Sequence, residues 1–173
     1  PVGGPWANFV WLPFLATGQF QRGSAIYRAI NPGELPTPNA GRVDVAGRLG
    51  NLESGTGMGI TVYFNVAGGG TGSVAFGPDS GATVTRYRIT GLADYGITED
   101  WKTALSYRPN WWPVWVIDFL EPGHIRLKDR GETSTLGEDT QFPWDVDVTV
   151  PPEAITALTG IRIGVMELSL IHI

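Results

Sequence analysis

Strict alternation of polar and apolar residues marks Asp145-Val-Asp-Val-Thr-Val150 as a half-buried β-strand, which Pro151 and Pro152 stop. The same period runs through His124-Ile-Arg-Leu-Lys-Asp129, placing Ile125 and Leu127 on one face and Arg126 and Lys128 on the other. Before it lies the mostly apolar Trp111 to Leu120, and Pro122-Gly123 between the two is a turn signal. Residues 109–131 are therefore predicted to form a β-hairpin.

Shorter apolar runs predict further strands at Ile60 to Val66, Val74 to Phe76, Ala82 to Leu92 and Ile161 to Leu168. Gly68-Gly-Gly-Thr-Gly-Ser73 and residues 31–41, with three prolines and two glycines, predict loops. One helix is expected near residues 98–107: Thr98 suits an N-cap, Glu99 and Asp100 suit the positive end of the dipole, and Trp101, Ala104 and Leu105 give an apolar face. A single helical turn is also expected over Glu153 to Leu158. Turn signals recur about every ten residues, so the fold class is all-β, an antiparallel sandwich or jelly roll with one short helix.

Composition supports that class. Glycine (24) and proline (13) make up about a fifth of 173 residues, alongside many Val, Ile, Thr and aromatic residues. This length suits one domain, predicted over residues 21–168. Residues 1–20 carry Trp6, Phe9, Trp11, Phe14 and Phe20 close together, an apolar segment that serves either as a first strand of the domain's own sheet or as an arm for a neighbour's sheet edge. The closing Leu168-Ser-Leu-Ile-His-Ile173 resembles the adapter-derived peptide that ends many reading frames assembled from environmental sequencing. Residues 169–173 are accordingly treated as a non-native tail, and His172 is given no role.

Net charge of −5 and a low pI disfavour a phosphate-binding surface, so nucleic acid is not an expected partner. The longest apolar run, Phe9 to Ala16, is too short for a membrane span and contains Pro13. With no cysteine there are no disulfides or thiolate metal sites.

Chemistry is sparse. Asp118, Glu121 and His124 are the best acid–base candidates, but they flank a turn and lack a nucleophile partner, so neither a catalytic role nor a cofactor is expected. Glu138, Asp139, Asp145 and Asp147 lack the ligand spacing of a calcium loop, and the glycine-rich loops lack the Lys-Ser/Thr of a phosphate loop. The hairpin is more informative. With Pro122 and Gly123 at the centre of a two-residue turn, Phe119 faces Arg126 and Trp115 faces Arg130, an aromatic–cationic surface; a three-residue loop exchanges the faces. Trp111 and Trp115 are also candidates to stack on sugar rings, whereas the adjacent Trp111 and Trp112 point to opposite sides of a strand.

The expectation from sequence is a non-enzymatic structural subunit of an extracellular or virion assembly, such as a capsid decoration, a tail component or a filament subunit. It would associate with copies of itself through Trp6, Phe9, Trp11, Phe14, Trp115, Phe119, Arg126 and Arg130. A carbohydrate-binding module using Trp111 and Trp115 is the alternative.

Overall fold

The computed structural model describes residues 10–11, 25–46, 57–78, 84–106, 114–129 and 143–166. They form two antiparallel sheets packed as a β-sandwich. The larger has the order β1 (Val10–Trp11), β2 (Ala25–Ala29), β11 (Ile155–Met166), β4 (Gly57–Val66), β5 (Gly70–Pro78), β6 (Val84–Thr90) and β7 (Lys102–Ser106). The smaller has the order β10 (Val146–Thr149), β9 (His124–Asp129), β8 (Val114–Asp118) and β3 (Arg42–Ala46). Consecutive strands β4 to β7 lie side by side, as do β8 to β10. The last strand, β11, inserts between β2 and β4, and β3 crosses to pair with β8 in the smaller sheet.

Period-2 burial builds the core. Ile60, Val62, Phe64 and Val66 of β4, Val74 and Phe76 of β5, and Ile89 of β6 face Val43, Trp115, Ile117, Ile125 and Leu127 of the smaller sheet in one buried cluster. The Phe64 and Phe119 rings meet edge to face, centroids 6.2 Å apart, which stitches the larger sheet to the hairpin. A polar contact crosses this interior: the hydroxyl of fully buried Thr85 donates to Asp129 Oδ2 at 3.0 Å. Taking this donor from a carboxylate that is only 2 % exposed is costly. Thr85→Val is expected to lower unfolding free energy by about 1–3 kcal/mol, readable as a shifted urea midpoint at unchanged slope.

Two expected helices are corrected. Residues 102–106, inside the region expected to be helical, form β7, which pairs with β6 across a bulge at Thr85/Arg86. An isolated helix of about ten residues is marginal, whereas the edge of β6 supplies backbone partners directly. The only helical element among the described residues is a 3-10 turn, Ala93–Tyr95, ended by Gly96 at φ 80°. At Glu153 to Leu158 the chain turns once, Ala154 N–H donating to the Pro151 carbonyl, and enters β11 at Ile155. The loop expected over Gly68 to Ser73 is shorter too, since β5 starts at Gly70.

At the N-terminal end, Val10 and Trp11 pair with Tyr27 and Ile26 of β2 in the same chain. Trp6, Phe9 and Phe14 lie outside the described residues.

Candidate interaction surface

The hairpin forms where expected, in the other register. Trp115 pairs with Asp129, Val116 with Lys128, Ile117 with Leu127 and Asp118 with Arg126. This is one residue away from a two-residue Pro-Gly hairpin, so the faces are exchanged. The turn explains the shift. His124 N–H donates to the Glu121 carbonyl at 3.1 Å, with Pro122 second and Gly123 third at φ 81°, the signature of a type II turn, which splays tightly paired strands. The chain widens around it: Leu120 N–H donates to Asp118 Oδ1 at 3.0 Å, and Phe119 N–H to the Gly41 carbonyl at 2.8 Å.

The exchange corrects the aromatic surface expected here. Trp115 is 0 % exposed and Phe119 3 %, both inside the core cluster. Neither can meet a partner or stack on a sugar. Trp111, Trp112 and Arg130 lie outside the described residues, and of the expected interface Arg126 is the member seen on a surface.

Arg126 belongs to the outer face of the smaller sheet. Register aligns one row across all four strands: Arg42 of β3 opposite Asp118 of β8, Asp118 opposite Arg126 of β9, and Arg126 opposite Asp147 of β10. The signs run plus, minus, plus, minus, the arrangement that cross-strand pairs favour. Towards the β10 edge the row becomes a network. Arg126 Nε donates to Asp147 Oδ2 at 2.9 Å and its Nη1 reaches Glu121 at 2.5 Å. His124 Nδ1 is 2.7 Å from Asp147 and Nε2 is 3.5 Å from Glu121, so carboxylates engage both ring nitrogens. Lys128 Nζ lies 3.1 Å from Asp145, whose other oxygen accepts from Asp129 N–H at 2.7 Å. The Arg126 guanidinium also sits over the Trp144 ring, 5.8 Å from its centroid.

These contacts reassign the acid–base and calcium candidates. Asp118 is buried (4 % exposed), while Asp145 and Asp147 have their oxygens occupied by cationic and N–H donors. The crevice beside His124, between the turn and Pro151-Pro152, holds about 20 Å³, the room of one water. Glu138 and Asp139 lie outside the described residues. A larger cleft of about 200 Å³, bordered by Leu35, Pro38 and Leu158, is mainly apolar and lies near the ion pair of Arg28 with Glu34.

Asp147 is the group whose acidity the network changes. Partial burial opposes its ionisation, but hydrogen bonds and charge from His124 and Arg126 outweigh this and hold the carboxyl below its ordinary 3.8. Arg126 is pushed up in turn: desolvation works against its charge, and Asp147 and Glu121 more than offset it. A depressed folded-state pKa contributes stability that is present above the unfolded value and is lost as pH falls through the folded one. Asp147→Asn should therefore be less stable than the parent at pH 7, by no more than about 1 kcal/mol because the pair is solvent-screened, and the difference should shrink as pH falls to about 2. Urea unfolding at the two pH values checks this.

Arg42, Asp147 and Trp144 were not grouped from sequence. Arg42 on β3 lies far along the chain from Trp144 and Asp147, and only the pairing of β3 with β8 and of β10 with β9 brings Arg42 into one row with Asp147. Comparison with protein-family models, curated proteins and solved structures returns no match for this chain.

Proposed function

We propose that the protein is a non-enzymatic structural subunit of an extracellular or virion assembly, such as a capsid decoration, tail component or filament, and that copies meet through the smaller sheet. The observation that carries this reading is the charge row of that sheet. Among the described strands it ends on Asp147 of β10 at one side and on Arg42 of β3 at the other. Opposite signs at the two ends of one sheet favour attraction between copies and disfavour matching like edges.

Light scattering across micromolar concentrations tests the reading. Mass should rise above the 18.7 kDa of one chain with concentration and fall back as salt screens the charges. A constant 18.7 kDa throughout, at low salt, contradicts it.

A further inference from the structure

We infer that the outer face of the larger sheet is a sugar-binding track, on which Tyr27 and Tyr63 stack against the rings of an oligosaccharide and Arg162 takes a carboxylate carried by one of them. The track is separate from the smaller sheet and does not depend on how copies associate. Strand register places it. Ile161 belongs to the core cluster and Ile163 packs against it, so Arg162 between them points outward. Tyr27 of β2 and Thr61 of β4 lie directly opposite Arg162 on its two sides. At the next outward position of β11, Gly160 lies opposite Tyr63.

The two tyrosines form one unit. Their half-buried rings meet edge to face, centroids 6.2 Å apart and inclined at 62°. Gly160 makes room for this, because a Cβ there would stand 2.6 Å from the Tyr27 hydroxyl oxygen and 3.0 Å from its ring, so that ring lies across bare backbone. Neither hydroxyl has a hydrogen-bond partner among the described residues. The C–H faces of sugars are apolar and stack on such rings, while their hydroxyl edges need polar partners. Those follow along the same face. Asn65, the next outward residue of β4, lines the cleft of about 200 Å³ together with Asn31 and Thr159, against an apolar wall of Leu35 and Leu158. Glu34 beside it is neutralised by Arg28 and accepts from Asn31 N–H. From Asn65 to Thr61 the strand spans about 13 Å. A short oligosaccharide therefore runs from the cleft, over the tyrosines, to Arg162, meeting the mixture of apolar surface and few polar groups that ligand sites use.

Charge selects the sugar. The chain carries 17 acidic residues, yet β2, β4, β5 and β11 contain none, although their outward positions could hold carboxylates at little cost. Arg28, Arg42, Arg86, Arg88 and Arg126 each have a partner. Arg162 makes neither a hydrogen bond nor an ion pair among the described residues. Its planar fork suits a carboxylate, which accepts two parallel N–H bonds. A single such group in a chain of net charge −5 disfavours a densely sulfated polymer and favours a mostly neutral chain bearing an occasional uronate.

The test is a glycan array carrying neutral, uronate-bearing and sulfated oligosaccharides, followed by calorimetric titration with the uronate-bearing glycan bound most tightly and with the same glycan lacking its uronate. The parent should bind the uronate form at least about tenfold more tightly than the neutral one. Arg162→Gln should abolish that preference and leave neutral binding unchanged. Tyr63→Ala should weaken both forms by at least about tenfold. Lys102→Gln on β7 removes the same charge outside the track and should change neither. Circular dichroism checks that the variants fold, and should Tyr63→Ala not fold, Gly160→Ala replaces it, since the added methyl pushes the Tyr27 ring aside. No binding anywhere on the array, a preference for sulfated glycans, or a uronate preference that survives Arg162→Gln overturns the inference. None of these results bears on the assembly reading, which light scattering decides.

Discussion

Replacing Trp115 by alanine is expected to lower the unfolding free energy by about 3–5 kcal/mol, the range for emptying a buried aromatic site. Trp115 is fully buried on β8, pairs with Asp129, and faces the larger sheet within the core cluster. Its indole Nε1 is buried without a hydrogen-bond partner, so part of the ring's contribution is offset by a donor that has lost water. Trp115→Phe removes that donor while keeping an aromatic ring, and should recover most of the loss. Urea unfolding followed by circular dichroism separates the two. If Trp115→Ala is as stable as the parent, the indole lies at the surface and the hairpin has the other register.

That register shows what the sequence could and could not convey. Composition and turn spacing identify the all-β class, and alternation locates β9 and β10 to within a residue or two, because each strand has one buried and one wet face. The Pro122-Gly123 turn was legible for the same reason: proline and a positive-φ glycine carry their geometry with them. Which face of the hairpin enters the core was not legible. It depends on how far the loop opens, and that is fixed by the bond from Phe119 to Gly41, a partner distant in sequence. The same holds for β7. Thr98, Glu99 and Trp101 carry helix signals of their own, and nothing nearby announces that β6 has an edge to fill. The charge row was invisible in one dimension, since its four residues come from four strands.

Gly91→Ala is the second substitution with a large expected effect, a loss of at least about 2–3 kcal/mol. Gly91 follows β6 at φ 80°, and a Cβ there would sit 2.4 Å from the Thr71 carbonyl oxygen and 2.6 Å from Gly72 Cα. Both are backbone atoms of β5, so relief requires the β5–β6 pairing to open. Gly72 makes the approach mutual, because its own Cβ would meet the Thr90 carbonyl oxygen at 2.4 Å. Gly96 is the control. It has the same φ of 80° with nothing within 4 Å, so Gly96→Ala carries only the left-handed backbone cost of about 1–2 kcal/mol. Thermal unfolding of both variants checks the difference, and equal losses would mean that β5 yields to the added methyl.

Whether copies meet through the smaller sheet is tested most directly by amide hydrogen exchange measured at low and high protein concentration. Amides of the smaller sheet should slow as concentration rises, while β4 and β5 at the centre of the larger sheet exchange at the same rate throughout. Protection that appears on other segments, or no change anywhere while the mass stays that of one chain, would contradict it.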